Sequence, residues 1–413
     1  MRHFSHPHAV SRRQLLQALG GMSLSAALPL HAALPLHAAK HAEQGAASER
    51  ILVVVELTGA NDGFNTLVPY GDDNYYRLRP NLGIPAARLR KIDSMHGFNP
   101  GMSGFERLYK NGQMAVVHGC GYDNPSYSHF TSAAYWHTGA PNTGEPYGWL
   151  GRLADAIDPS LTPNFLINID ERQSLAVRSA RHVPVVFDDP ERFGRKGLFQ
   201  SRELLDQGSG ERVLAANAAQ KYLEDVAQSA RQASVQVREA WSNYKSPVDY
   251  GIISLDLPKV AAMIEARLPA RIYQTSYRHN AFDTHVHQAE VHQRLLSYVS
   301  DSVSGFLQDM KRIGREKDVT VMVYSEFGRR PAENTSLGTD HGTANHVYLI
   351  GQPVKGGHYG QAPDWTRLNA EGNMRHTVDF RRVYATLMQD WMGADSTALL
   401  NGRFESLGVF AGT

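Results

Sequence analysis

The sequence predicts an α/β fold, a three-layer sandwich around a mostly parallel central sheet. Three observations predict it. Short apolar, β-branched runs recur along the chain, helical patterns lie between them, and the first run, ILVVVEL (Ile51–Leu57), is apolar almost throughout. A run of that kind suits a strand buried on both faces, as in parallel sheets. Strands alternating with helices place the helices over the two faces of such a sheet.

In chain order, residues 1–39 read as a targeting segment. Paired arginines in SRRQLLQALGG (Ser11–Gly21) precede an apolar stretch that is too short, and too rich in Gly and Ser, to span a bilayer. HAALPLHAAK follows with small residues suited to cleavage between Ala32 and Ala39. The arrangement predicts a twin-arginine signal. ALPLHA stands there twice in tandem (Ala27–Ala32, Ala33–Ala38), a slipped duplication of no structural weight. Export by this route implies folding before transport, with the export machinery as the first partner. A periplasmic or secreted protein without stable membrane insertion is expected. Residues 40–413 are expected to form one domain.

After ILVVVEL the predicted strands are MAVVHGC (Met114–Cys120), NFLINI (Asn164–Ile169), VPVVF (Val183–Phe187), VTVMVYS (Val319–Ser325) and VYLIG (Val347–Gly351). KVAAMIEARL (Lys259–Leu268) and the stretch Gln288–Gly314 carry helical patterns, the second ending on glycine. Glu211–Tyr244 is polar, rich in Ala and Gln, and free of Gly and Pro. It predicts a helical cap insertion spanning about residues 205–247 of the chain. GDDNYYRLRPNLGIP and HTGAPNTGEPYGW are loop-rich and aromatic, suited to lining the entrance of a site.

Lys plus Arg number 42 against 41 Asp plus Glu, so no field favours nucleic acid or an anionic membrane. The one cysteine, Cys120, excludes an internal disulfide and a cysteine-rich zinc site, and reads as a small core residue. Nineteen histidines direct attention to metal and proton chemistry.

Four stretches could carry that chemistry. TGANDGFN places Asp62 just past the first strand, where an acid either holds a cation or makes an Asn-Asp-Gly turn. NPSYSHFTSAAYW offers Ser126 or Ser128 as cap of a helix that begins near His129. A hydroxyl there faces free N–H groups that bind an anion, which suits a nucleophile as well as a plain cap. FDTHVHQ gathers Asp283, His285 and His287. If extended, all three share one face; if helical, Asp283 meets His287. One carboxylate and two imidazoles suit zinc or another borderline divalent ion. The last stretch runs from YSEFGRRPAEN to GTDHGTANH. Glu326 ends a strand, Arg329 or Arg330 could bind an anion or pair with an acid, and Asp340-His341 lies between glycines that permit close backbone approach. Beyond it, KGGHYG supplies His358.

These blocks, in this order and wording, resemble the exported family of unknown function DUF1501. That family is grouped with the alkaline phosphatase-like superfamily, which includes sulfatases, phosphatases and phosphomutases. The resemblance implies an alkaline phosphatase-like sandwich and a metal site that processes phosphate or sulfate esters. Carried over, Asp62 matches an acidic ligand after the first strand, and Ser128 the helix-capping nucleophile, with Ser126 as rival. Asp340 and His341 match the pair at one metal, and Asp283 with His287 resembles the pair at the other. His358 follows His341 by 17 residues, an interval similar to that before the last histidine ligand of cofactor-independent phosphoglycerate mutases. The family wording stresses Asp283 and His285, so His285 competes with His287. No Cys/Ser-x-Pro-x-Arg pattern is present, so formylglycine chemistry is not expected.

The reading is a periplasmic, metal-dependent hydrolase of small anionic esters or polysaccharide-derived substrates. Its metal would be one or two divalent ions, with zinc, manganese, magnesium and calcium not distinguished. Ser128 or Ser126 would be the nucleophile, and Arg329 would steady the anion. The metal ligands would come from Asp62, Asp283, His285, His287, Asp340, His341 and His358. The alternative is a non-catalytic relative that keeps the fold and binds a ligand or partner. A metal-dependent oxidoreductase is a third reading, carried only by folded export and the histidine count.

Overall fold

β1 (Ile51–Leu57) lies inside the sheet with all seven residues buried, as its sequence requires. It belongs to a computed structural model that describes residues 49–193 and 233–410, all within the compact unit Ala46–Thr413. Residues 1–39, where a signal is expected, lie outside the described residues. Among the described residues the other strands are β2 (Leu67–Val68), β3 (Arg90–Lys91), β4 (Gly97–Phe98), β5 (Met114–Gly121), β6 (Leu166–Ile169), β7 (Val185–Phe187), β8 (Ile272–Tyr277), β9 (Val319–Tyr324), β10 (Asn345–Ile350), β11 (Gly357–Tyr359) and β12 (Val378–Asp379). The main sheet runs β11-β5-β10-β9-β1-β8-β6-β7, with β12 also on β5; β2, β4 and β3 make a small second sheet. Every pairing in the main sheet is parallel except the two made by β10, so β10 alone runs against the rest.

Among the described residues the helices include α1 (Gly63–Thr66), α2 (Asp73–Leu78), α3 (Ser103–Lys110), α4 (His129–Thr138), α5 (Trp149–Ile157), α6 (residues 233–243), α7 (Leu257–Glu265), α8 (Gln288–Arg312), α9 (Arg381–Thr386) and α10 (Ser396–Leu399). Side chains alternate along a strand, so β1 feeds two cores. Val53 and Val55 join Phe105 of α3, Val260 of α7, and Leu296 and Phe306 of α8. Leu52 and Val54 join Trp136 of α4, Trp149 of α5 and Tyr384 of α9. Each such Val or Leu contributes about 1.5–3 kcal/mol by leaving water. Glu56 interrupts the run at 4 % exposure, and His137 Nε2 meets its Oε2 at 2.8 Å. Burial alone would lower the His137 pKa; the Glu56 charge and hydrogen bond raise it overall.

The α/β class and mostly parallel sheet stand as expected; a missed strand and a helix in a predicted loop differ. β8, IYQTSY, was not among the predicted strands, because Gln274 and Thr275 break the apolar pattern; both are nonetheless buried, and Thr275 Oγ1 donates to the Leu255 carbonyl. The Gly71–Pro85 loop contains a short helix, α2. The expected insertion 205–247 lies mostly outside the described residues; of its described part, Ala233, Val237 and Ala240 are built into the first core. Cys120 is a fully buried core residue whose thiol pKa burial pushes up.

The topology brings the C-terminal ends of β1, β5, β8 and β9 to one edge, with the start of the reversed β10 beside them. Ligands in α/β sheets bind at that edge. No helix among the described residues is long and apolar enough to cross a membrane.

Candidate metal centre

Asp283 sits in the segment between β8 and α8, which is neither strand nor helix. Its N–H donates to the Asn280 carbonyl at 2.9 Å, and the His285 N–H donates to the Asp283 carbonyl at 3.2 Å. This tight folding turns the His285 ring back on its own neighbour, with Nε2 3.0 Å from Asp283 Oδ1. His341 comes from the segment before β10, paired antiparallel with the segment after β9: Gly342 N–H donates to Gly328 O at 2.8 Å and Arg330 N–H to Asp340 O at 3.0 Å. The pairing sets Arg329 opposite His341. His129 opens α4, after β5.

The three rings share one hydrogen-bonding pattern. His129 Nδ1 lies 2.7 Å from Glu326 Oε1, His341 Nδ1 2.8 Å from the Tyr127 carbonyl, and His285 Nδ1 3.4 Å from Asp340 Oδ1. Each of these oxygens accepts, so each Nδ1 can carry a hydrogen and leave its Nε2 facing inward. Those nitrogens converge on Asp283. His341 Nε2 is 3.2 Å from Oδ1, and His129 Nε2 is 3.5 Å from Oδ2, buried and otherwise without a hydrogen-bond partner. His285 and His341 Nε2 stand 2.9 Å apart. Nitrogens and a carboxylate this close need a proton or a cation between them, and the Arg329 guanidinium, 3.2 Å from His285 Nε2 and 2.6 Å from Asp283 Oδ1, supplies part of that charge. Ligands of a tetrahedral zinc, about 2.0–2.2 Å from the ion, stand about 3.3–3.6 Å apart, and the separations of 2.9–3.5 Å approach that spacing. His129, Asp283 and His341 could hold a metal ion, with His285 against the same carboxylate. The oxygens behind the rings would orient them as ligands.

Burial would raise the Asp283 pKa, but the hydrogen bond and charge of Arg329, helped by His341 and His129, bring it down to about 2. The hydrogen bond to Glu326 raises the pKa of His129, while desolvation lowers that of His341. Asp340 is lowered, chiefly by its hydrogen bond from Asn334.

Backbone approach sets the position of these groups. A Cβ on Gly338 would stand 2.1 Å from the His285 carbonyl oxygen, and one on Gly342 2.5 Å from the Arg329 carbonyl carbon. The two glycines around Asp340-His341 therefore let three segments touch. Glu326 Oε1 also accepts from the Gly59 and Ala60 N–H groups at 2.9 and 3.0 Å, tying the β1 and β9 ends together.

The structure gathers Asp283, His285 and His341, with Asp340 behind His285. It places the other sequence candidates differently. Asp62 is fully buried, capping α1, with Arg79 Nη1 2.6 Å from Oδ2 and Gln288 Nε2 2.5 Å from the same oxygen. Its carboxylate serves that network rather than the cluster at Asp283. His287 is exposed, with a left-handed backbone (φ 46°) that turns it away as the residue before α8. His358 lies on β11 against Asp93 and His118. Arg329 is 0 % exposed and directs its donors to Asp283 Oδ1, to the carbonyls of Gly59, Ala60, Phe282 and Thr339, and toward His285 Nε2 at 3.2 Å. It clamps Asp283 instead of facing solvent as an anion contact. Arg330 is half-buried, its Nε without a partner. Ser128 is the N-cap of α4, exposed, and makes no side-chain cap bond; Ser126 Oγ accepts from the Ser128 N–H at 3.2 Å.

His129 and the supporting role of Glu326 were not anticipated. One signal was available: a histidine in the first turn of a helix sits at the positive end of the dipole, where a cation is disfavoured.

Fold and centre together define an α/β protein with a candidate metal centre at the C-terminal edge of a mostly parallel sheet. Residues 49–403 match the family described as "Protein of unknown function (DUF1501)", and the chain belongs to that family. No curated protein matches it. Similar solved structures include a protein in the alkaline phosphatase superfamily from Vibrio parahaemolyticus, with 11% identity over 86% of this chain and 69% of that one, TM-score 0.42. The PsFucS1 sulfatase from Pseudoalteromonas sp. shows 11% identity over 91% and 75%, TM-score 0.37. The C-terminal periplasmic domain of EcEptC from Escherichia coli, in complex with Zn, shows 11% identity over 83% and 82%, TM-score 0.34. Likenesses this remote say nothing of this chain's activity.

Proposed function

We propose that this protein is an exported, metal-dependent hydrolase of phosphate or sulfate esters. One observation carries the reading: three imidazoles, each with Nδ1 against an oxygen acceptor, place Nε2 within 3.0–3.5 Å of the Asp283 carboxylate. A divalent cation held there supplies Lewis-acid polarisation of an ester oxygen.

The chain's own groups would do the rest. Ser128 has a hydroxyl unused by its helix cap, next to His129 and at the positive end of the ten-residue α4. Anions are favoured there. Its oxygen would bond to phosphorus or sulfur, its proton leaving with the departing alcohol. Water would then cleave the seryl ester, release the inorganic anion and restore the hydroxyl. Arg330, rather than the buried Arg329, is the guanidinium left to meet the anion. Arg329 and Glu326 hold Asp283 and His129 in place.

The test is turnover of p-nitrophenyl phosphate, its diester and p-nitrophenyl sulfate by purified protein, across zinc, manganese, magnesium and calcium. Activity with at least one ion is expected, falling at least 100-fold in His129→Ala/His341→Ala. Full activity in that variant, with metal content unchanged, would sink the reading.

A second reading, a ligand- or partner-binding relative without turnover, is favoured by the rim. Phe130 beside His129 is 88% exposed and Val286 beside His285 is 58% exposed. Bound metal with no hydrolysis of any of the three esters would support it.

A further inference from the structure

A second gathering of ligand-type side chains lies where the small sheet meets the edge of the main one. Asp93 and His96 stand in the turn between β3 and β4, and His358 is on β11. Asp93 Oδ1 accepts from the Met95 and His96 N–H groups, both at 2.6 Å, which fixes the carboxylate. Its Oδ2 is 2.8 Å from His358 Nε2 and 3.3 Å from His96 Nδ1. These separations approach the roughly 3.3 Å expected between two ligands of one tetrahedral zinc. The three residues offer ligand atoms within 4.8 Å of one another. Behind them His118 Nε2 meets His358 Nδ1 at 2.7 Å, the arrangement that orients a ligating imidazole.

A carboxylate shared by two imidazoles can be hydrogen bonding alone. The surroundings favour more. His118 and His346 are 2% and 6% exposed, and each keeps a buried Nδ1 without a partner. The His96, His118 and His358 ring centroids are 4.9–5.3 Å apart. A core has no packing reason to gather four imidazoles and leave ring nitrogens unpaired. The Asp93, His96 and His358 side chains remain 33%, 17% and 28% exposed, so an ion and its waters could enter.

We propose that Asp93, His96 and His358 bind a borderline divalent metal, zinc being the reference case, at a structural site separate from the Asp283 centre. The ion would pin the β3–β4 turn to β11 and so join the two sheets. Neither the ester-hydrolase reading nor its failure bears on this site.

The test uses the full chain carrying Asp283→Asn/His341→Ala, which disables the first centre. After dialysis against zinc and then buffer, elemental analysis should find about one zinc per chain, with a melting temperature raised over the chelator-treated protein. Adding Asp93→Asn should weaken zinc binding at least 100-fold, and adding His96→Ala/His358→Ala should abolish it, with the far-ultraviolet dichroism retained. Should the parental double variant misfold, cobalt loading of the unaltered chain replaces it: His358→Gln should lose one cobalt and its visible band. No zinc in the folded double variant, or equal metal with and without the Asp93, His96 and His358 changes, overturns the proposal.

Discussion

Glu326 is one residue that sets the state of another. Its Oε1 accepts from two backbone N–H groups and from His129 Nδ1, and Ser325 Oγ lies 2.9 Å from its Oε2. Glutamine can keep the first three contacts and donate to Ser325. Glu326→Gln should therefore fold normally while removing the charge that makes His129 a better ligand. Loss of such a partner costs metal affinity about 10–100-fold. Zinc titration against a competing chelator checks this, and unchanged affinity would show that His129 is not a ligand. Asp62 shows what remained hidden at this scale. An acid just past β1 could hold a cation, and nothing in TGANDGFN tells that Arg79, 17 residues on, folds back into a buried ion pair. Asp340-His341 was legible because flanking glycines advertise close approach. His285 and His287 were not separable, since the choice depends on two tight turns and one left-handed backbone angle.

Elements, by contrast, announce themselves when their burial is apolar and conceal themselves when it is polar. β1, β5 and β9 are visible as apolar runs; β8 is not, though it lies between β1 and β6 in the same sheet. The fastening of α5 is another polar device. His182, beyond the helix, places Nδ1 2.8 Å from Asp155 on α5 and Nε2 3.1 Å from Asp158 at its end. Burial lowers the His182 pKa, but hydrogen bonds to both carboxylates raise it overall. Burial likewise raises Asp158, yet bonds from Ser160, His182 and Thr162 bring it down to about 2; Asp155 is lowered too. The raised histidine contributes fully below its unfolded value of 6.5 and loses its contribution as pH climbs through the raised pKa. The lowered acids contribute fully above 3.8 and lose it as pH falls through their folded values. The fastening is complete between those limits. His182→Gln should cost about 1–3 kcal/mol at pH 5.5 and less at pH 9. Urea unfolding at both values checks it; an equal penalty would mean that the ring is neutral throughout.

For the whole molecule, the candidate centre depends on long-range assembly. His129 follows β5, Asp283 and His285 follow β8, His341 precedes β10, and Glu326 follows β9; no local stretch contains the set. Sequence patterning could establish the sheet and the edge at which loops gather, because strand direction decides both. It could not establish which loops meet, because that follows from strand order, and the order places β10 between β5 and β9 against the general direction. This assembly makes a prediction that no single loop would make. A metal bound at 100 times its dissociation constant stabilises the assembled state by about 2.7 kcal/mol, equivalent to roughly 100-fold slower opening-limited amide exchange. Zinc should therefore slow exchange together at 126–130, 280–286 and 338–342, the segments that meet at Asp283. β7, at the far edge of the sheet and pairing only with β6, should be unaffected. Hydrogen–deuterium exchange of the full chain with and without zinc, in a His96→Ala/His358→Ala background that removes the other cluster, reads all four regions at once. Protection confined to one of the three loops would mean that the imidazoles do not act as one centre. Protection of all three that persists in His341→Ala would mean that the ion sits elsewhere.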